Sequence, residues 1–119
     1  MNQNDKDANE KDLVVRLIDK GRLLVLPEKV HQAMPPSSPR KVVIFAEADG
    51  MVYLRAATSD EMTKALTAYK SNPNARSMLV AFRQALDLCG ISPSSNMEGE
   101  YSASISEGCL VFSLRRKAA

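Results

Sequence analysis

The sequence predicts an α+β fold built mainly from antiparallel β-hairpins. Short apolar runs occur in pairs, and each pair flanks a glycine-containing turn, at residues 19–22, 48–50 and 106–108. The stretches that indicate helices do not alternate with single strands, so the parallel crossovers of a doubly wound sheet are not expected. A chain of 119 residues can bury one modest core.

The N-terminal part predicts a tail followed by a hairpin. Residues 1–12 are charged and amide-rich without hydrophobic periodicity, so we expect a flexible polar tail. LVVRLI (Leu13–Ile18) is typical of a strand, Gly21 allows the turn that follows it, and LLVL (Leu23–Leu26) forms the second strand. Because LLVL is apolar on both faces, it is expected to need cover on both sides.

A short helix and a second hairpin complete the region 13–57. Pro27 suits the first turn of a helix, EKVHQAM, on which we expect His31 to face solvent. PPSSPR then forms a stiff connector, because each proline fixes its own φ and restricts the residue before it. KVVIFAE and MVYLRA flank Ala48-Asp49-Gly50, and Asp-Gly between apolar runs indicates a hairpin.

For residues 58–119 the sequence predicts two helices and a closing hairpin, as an accessory or partner-binding module. Thr58 and Glu61 have the spacing of a capping box and would begin a helix to about Lys70. A second helix is predicted from about Ala75 to Cys89, with Gly90 ending it. EYSASI and CLVFSL then form the C-terminal hairpin.

Composition limits the function classes. No apolar run approaches the roughly 18 residues of a membrane helix, and the polar N-terminus does not resemble a secretory signal, so we expect a cytoplasmic protein without membrane contact. The net charge is +2, and the basic excess lies in residues 13–57, with seven basic and four acidic side chains.

Few side chains in the sequence are candidates for catalysis or metal binding. His31 is the only histidine, and Cys89 and Cys109 lie in apolar surroundings typical of small buried residues. The five glycines are dispersed, and no phosphate-binding loop is present. We therefore expect no metal, no cofactor and no catalytic residue, and not an enzyme. A thiol-dependent enzyme stays open as an alternative.

VVRLIDKGRLLVLPEKVHQAM followed by KVVIFAEADGMVYLRA resembles the AbrB-like swapped-hairpin family. In that family a strand, a Gly-Arg corner, an aliphatic strand, a proline and a short helix lead into a second hairpin. The resemblance implies an N-terminal barrel formed by a homodimer that interleaves its hairpins. Four residues, Leu23–Leu26, separate the Gly-Arg corner from the proline where the family usually has three, which predicts a bulge or a shifted alternation.

The resemblance also implies binding to duplex DNA by a transcriptional regulator or antitoxin-like protein. Arg22 matches the arginine of the corner, and the other residues expected to contact DNA are Arg16, Lys20, Lys29 and Arg40. Phosphate contacts by such side chains would make the affinity fall with salt. The alternative is a non-enzymatic adaptor, chaperone or inhibitor that binds a protein and not DNA, with residues 58–119 as a possible contact region.

Overall fold

The structure is a computed structural model that describes residues 13–33 and 41–117. The predicted tail at 1–12, the predicted connector at 35–40 and the candidate DNA contact Arg40 lie outside this part. The described chain contains eight strands and two helices, in the order β1 (Val14–Ile18), β2 (Leu23–Leu26), α1 (Glu28–Ala33), β3 (Lys41–Ala46), β4 (Met51–Ala56), β5 (Leu66–Thr67), β6 (Met78–Ala81), α2 (Arg83–Leu88), β7 (Gly99–Ser106) and β8 (Cys109–Lys117).

The strands form one antiparallel sheet that rolls into a nearly closed barrel. Their order is β5-β3-β4-β8-β7-β1-β2-β6. The two outer members of this order meet where Tyr69, just after β5, exchanges main-chain hydrogen bonds of 3.0 and 2.7 Å with Leu79 of β6. The predicted α+β class with antiparallel hairpins is confirmed.

The three predicted hairpins are present. In the second, Gly50 adopts a φ of 95° and donates to the carbonyl of Glu47, while the N–H of Glu47 donates to Met51. This is the three-residue connection in which a glycine in the left-handed region closes the turn. In the third hairpin, Glu107 and Gly108 both have positive φ, which matches the twist of the strands they join.

The run Leu23–Leu26 forms a regular strand. Its pairing is continuous with β1 on one side and with β6 on the other, so β2 contains no bulge. Leu24 and Leu26 point into the core, whereas Leu23 and Val25 are half-buried on the outer face. Two paired edges and a partly covered outer face therefore accommodate a strand that is apolar on both sides.

The barrel interior is filled by every second side chain of the strands. Phe112 of β8 lies between two other rings, with ring centroids 6.0 Å from Phe82 and 6.1 Å from Tyr101. The hydroxyl of buried Tyr101 donates to the carbonyl of Met97 at 2.7 Å, so its polar end is satisfied. The residues less than 2% exposed with the largest side chains are Tyr101, Phe82, Leu17, Leu24, Leu26, Leu54, Leu86, Leu110, Val15, Val30, Val42 and Val52.

The helix predicted for residues 58–70 is wrong. Glu61 reaches back to Thr58 as the capping box predicts, but only a 3₁₀ turn at Ser59–Glu61 forms. The chain then becomes strand β5, which pairs with β3. A short isolated helix is marginal in water, so pairing with a neighbouring strand overrides the local preference.

The helix predicted for residues 75–89 is wrong in its first half. Met78–Ala81 forms β6 and pairs along the whole of β2, whose apolar run needs a partner on that edge. Only Arg83–Leu88 is helical. Its predicted end is confirmed, because Gly90 has a φ of 70° and the N–H of Ile91 donates to the carbonyl of Leu86 at 2.9 Å.

Strands from the regions 13–57 and 58–119 occur side by side in the same sheet. β7 pairs with β1, and β8 pairs with β4. Within the described residues, neither helix has the length and apolar character required to traverse a lipid bilayer.

Candidate functional site

Three of the predicted DNA contacts lie on the first hairpin. The side chain of Arg16 projects from β1 and is 3.6 Å from the carboxylate of Glu100. Arg22 follows the turn, and its guanidinium lies 3.5 Å from the carboxylate of Asp19. The main-chain N–H of Lys20 donates to the carboxylate of Glu98 at 2.8 Å. Each of these cations therefore has an acidic side chain beside it or beside its main chain.

The remaining predicted contacts are not brought to the same place. Lys29 is exposed on α1, which follows the opposite end of β2 from the turn. Arg40 belongs to the part of the chain that the structure does not describe. The structure thus brings together Arg16, Lys20 and Arg22. It also places acidic neighbours beside them that were not predicted from the sequence.

The turn of the first hairpin is strained and tightly held. Asp19, Lys20 and Gly21 have φ values of 53°, 62° and 90°. Left-handed backbone at a residue with a side chain costs about 1–2 kcal/mol. The carbonyl of Lys20 accepts from Ser94 at 2.9 Å, and Gly21 is buried beside Met97. The loop before β7 therefore holds the strained corner in place.

His31 does not face solvent, which corrects the sequence prediction. It is 8% exposed, and its Nε2 lies 2.8 Å from the carbonyl oxygen of Arg76. A carbonyl can only accept, so Nε2 carries the proton in this contact. His31 ties α1 to the segment before β6. Its ring nitrogen makes a structural bond and is not presented to a substrate.

The structure buries neither of the two cysteines fully, and it does not activate the thiol of Cys89. Both are half-buried, where the sequence predicted buried side chains. Burial raises the pKa of the Cys89 thiol, which donates to the carbonyl of Glu47 at 3.3 Å. A reactive cysteine needs a lowered pKa, so this environment disfavours Cys89 as a nucleophile. Among the described residues, no three His, Cys, Asp or Glu side chains group as metal ligands would.

The outer surface of three adjacent strands carries a contiguous apolar patch that the sequence reading missed. Phe45 of β3 lies opposite Tyr53 of β4, and Tyr53 lies opposite Val111 of β8. Val43 and Met51 occupy the neighbouring outward positions of β3 and β4. We refer to these five residues as the β3–β4–β8 face. Phe45 is 49% exposed, so this contiguous face presents a large aromatic ring to solvent.

The signal for this face is present in the sequence. Both KVVIFA and MVYLRA carry apolar side chains at inward and outward positions alike, where a half-solvated strand would alternate with polar ones. The run Leu23–Leu26 shows the same pattern, and the same expectation of cover on both sides applies to the second hairpin.

Arg55 stands over this face in a fixed position. Its guanidinium carbon is 5.3 Å from the centre of the Phe45 ring, within the range of a cation–π contact. Two of its nitrogens also donate to the two carboxylate oxygens of Glu61, each at 2.8 Å. This bidentate geometry is the stronger form of an Arg–carboxylate pair. The ion pair fixes Arg55 beside the Phe45 ring.

The same contacts shift the titration of Glu61. The Arg55 guanidinium, helped by the Thr58 N–H at 2.9 Å and the Thr58 hydroxyl, lowers the pKa of Glu61 from 4.5 to about 2. The charged carboxylate is therefore favoured in the folded state relative to the unfolded chain.

Glu61→Gln should reduce the dependence of stability on acid. Between pH 4.5 and about 2 the unfolded chain binds the proton and the folded chain does not, so stability from this group is present above pH 4.5 and is lost as the pH falls through about 2. Urea unfolding from pH 2 to 6 should show a smaller acid loss in the variant than in the wild type. Glu107→Gln, at an exposed hairpin turn, is the control and should retain the wild-type slope. Equal slopes for Glu61→Gln and the wild type would contradict the assignment.

A groove runs along the other side of Phe45. It lies between β3 and α2, has a volume of about 220 Å³, and is bounded by Phe45, Leu66 and Leu88 with Glu61 and Lys64 at its edge. Leu88 is 56% exposed. Pockets for cofactors or drug-sized ligands are about 300–1,000 Å³, so this groove suits a single side chain better.

No protein-family model, no curated protein sequence and no solved structure matches this chain. The geometry described above is therefore the basis for the functional inference.

Proposed function

We propose that the chain is a small non-enzymatic binding module that recognises another polypeptide through the β3–β4–β8 face. The observation that carries this proposal is the contiguous row Phe45–Tyr53–Val111 on the outside of a sheet whose inner face already forms the core. Side chains of a folded domain that are apolar, adjacent and partly exposed mark interaction surfaces.

The composition of the face and its surroundings supports the proposal. Phe, Tyr, Met and Arg are the residue types enriched at protein interfaces, and Phe45, Tyr53, Met51 and Arg55 supply one of each. Arg55 is already held by Glu61, so little side-chain freedom would be lost when a partner covers it. The groove between Phe45 and Leu88 could receive one anchoring side chain from the partner.

Site-specific photocross-linking in the expressing cell tests the proposal. A photoreactive phenylalanine analogue in place of Phe45 should form a cross-link to a polypeptide. The same analogue in place of Tyr69, which is 44% exposed where β5 meets β6, should not form a cross-link. Absence of any cross-link at position 45, or equal cross-linking at both positions, would count against the β3–β4–β8 face.

A second candidate is the DNA-binding homodimer that the family resemblance implies. Arg16, Lys20 and Arg22, whose side chains are at least partly exposed on a single hairpin, favour it. In a swapped dimer, β1 and β2 would keep their pairings with β7 and β6 but make them across two chains. The neighbouring carboxylates of Asp19, Glu98 and Glu100 would have to be outweighed by phosphate contacts.

Fluorescence anisotropy on duplex DNA across a salt series tests this second candidate. Binding should weaken with salt, and Arg22→Ala should weaken it further while leaving the dimer intact. Lack of binding at low salt, or an affinity indifferent to salt, would leave the protein-binding function alone.

A further inference from the structure

We propose that a concavity on the outside of β7 and β8 binds a small zwitterion, namely a free amino acid with an apolar side chain. The concavity has a volume of about 770 Å³, and both Arg115 and Asp49 line it. Sites for small molecules usually measure about 300–1,000 Å³. The proposal does not rest on the binding of a polypeptide, although Met51 and Val111 belong to both surfaces.

The concavity lies where β7 and β8 move apart. Tyr101 pairs with Lys117 whereas Ala103 pairs with Phe112, so the one β7 residue between them faces four residues of β8. On its other side, β8 keeps its pairing with β4. Extra residues in one strand redirect its side chains, and they occur often beside active sites. The irregular pairing therefore creates both the hollow and the direction of the side chains around it.

Arg115 is held so that the end of its guanidinium stays available. Its Nε donates to the main-chain carbonyl of Asp49 at 2.6 Å, and its main-chain N–H donates to the Ser113 hydroxyl at 3.2 Å. Its stem crosses the turn so closely that a Cβ on Gly50 would lie 3.2 Å from the Arg115 Cγ. In the part of the chain that the structure describes, its two terminal nitrogens form no hydrogen bond and no ion pair. Two parallel N–H donors of this kind fit the two oxygens of a carboxylate.

Asp49 supplies the opposite charge at the same concavity. Its Oδ1 accepts from the N–H of Met51 at 3.0 Å, and among the described residues its Oδ2 has no hydrogen-bond partner. Asp49 and Arg115 form no ion pair with each other, so both keep capacity for a ligand. The Asp49 carboxylate repels a simple anion and the Arg115 guanidinium repels a simple cation. A molecule that carries one carboxylate and one ammonium group satisfies both side chains.

The rest of the lining favours an amino acid whose side chain is apolar. Ser102, Ser104 and Ser113 bring hydroxyl groups to the concavity, and a hydroxyl can donate to a carboxylate or accept from an ammonium group. Met51 and Val111 provide an apolar wall that a hydrocarbon side chain of the ligand would cover.

Titration of the isotope-labelled full chain with L-leucine, followed through its amide NMR signals, tests the proposal. L-leucine at up to about 10 mM should shift the amide signals of Ser102, Ser113 and Arg115 in a saturable way. N-acetyl-L-leucine lacks the ammonium group and L-leucinamide lacks the carboxylate. Each should bind at least about 10-fold more weakly, because one charge-assisted hydrogen bond is lost.

Two variants assign the charges of the ligand to the two side chains. Arg115→Gln and Asp49→Asn should each weaken the binding of L-leucine by at least about 10-fold. Asp49→Asn keeps a side-chain oxygen for the N–H of Met51, so the turn is retained. The matched control is Arg83→Gln, which removes an exposed arginine on α2 and should leave the affinity unchanged. The same NMR spectra show whether each variant is folded.

Three outcomes would overturn the proposal. The first is the absence of a saturable shift with L-leucine, or shifts that leave Ser102, Ser113 and Arg115 unaffected. The second is an affinity for N-acetyl-L-leucine or L-leucinamide that equals the affinity for L-leucine, which would mean a site for a simple anion or a simple cation. The third is an unchanged affinity for L-leucine in either Arg115→Gln or Asp49→Asn.

Discussion

Phe112→Ala should lower the free energy of unfolding by about 3–5 kcal/mol, the usual cost of removing a buried phenylalanine. Phe112 is 2% exposed and contacts the rings of Phe82, the residue after β6, and of Tyr101 in β7. Its loss would leave a cavity in the barrel core beside the rings of Phe82 and Tyr101. Because small domains are stable by only about 5–15 kcal/mol, the variant should unfold at a much lower urea concentration.

Phe45→Ala provides the matched comparison for this prediction. The same atoms are removed, but from the outer face, so the loss should stay below about 1 kcal/mol in protein dilute enough that association does not contribute. If Phe112→Ala proves too unstable to purify, Phe112→Leu should fold with an intermediate loss. Similar losses at positions 45 and 112 would contradict the assignment of inner and outer faces.

Gly21→Ala should destabilise the protein by about 2–4 kcal/mol, from backbone strain and overpacking together. At a φ of 90° an alanine is strained whatever the space, and its Cβ would lie 2.9 Å from the Cβ of Met97. Neither atom can move without shifting main chain. The corner that joins β1 to β2 would therefore separate from the loop that holds it, and thermal unfolding should begin at a lower temperature.

Gly90→Ala separates the two causes. Gly90 also has a positive φ, of 70°, but an added Cβ would meet nothing within 4 Å. It should therefore show the backbone cost alone, about 1–2 kcal/mol. Equal losses in the two variants would mean that the contact with Met97 carries no energy and that the corner is less tightly packed than described.

The hairpins could be predicted from the sequence because their signals are local. Gly50 and Gly108 lie where the turns need positive φ, and the apolar runs around them have the length of strands. The segments at 58–70 and 75–89 could not be predicted in this way. Their hydrophobic spacing fits a helix. Their structure is decided by pairing with strands that lie far away in the sequence, since β5 pairs with β3 and β6 pairs with β2.

The candidate site was predicted less well than the fold. A basic side chain can be located from sequence, but its neighbour cannot, so the carboxylates beside Arg16 and Arg22 appear only after folding. The position of His31 depends on its hydrogen bond to the main-chain carbonyl of Arg76, which belongs to another part of the chain. The β3–β4–β8 face depends on β8 lying beside β4, a pairing that cannot be predicted from the sequence of either strand alone.

The order of the strands has a kinetic consequence. β7 and β8 occupy the middle of the sheet, between the first and second hairpins, although they are the last strands of the described chain. Until they arrive, the first two hairpins can be joined only through β5 and β6, where Tyr69 meets Leu79, and the barrel stays open on its other side. We therefore expect a slow folding step limited by long-range pairing, with the earlier hairpins exposed to aggregation or chaperone capture while the chain is being synthesised.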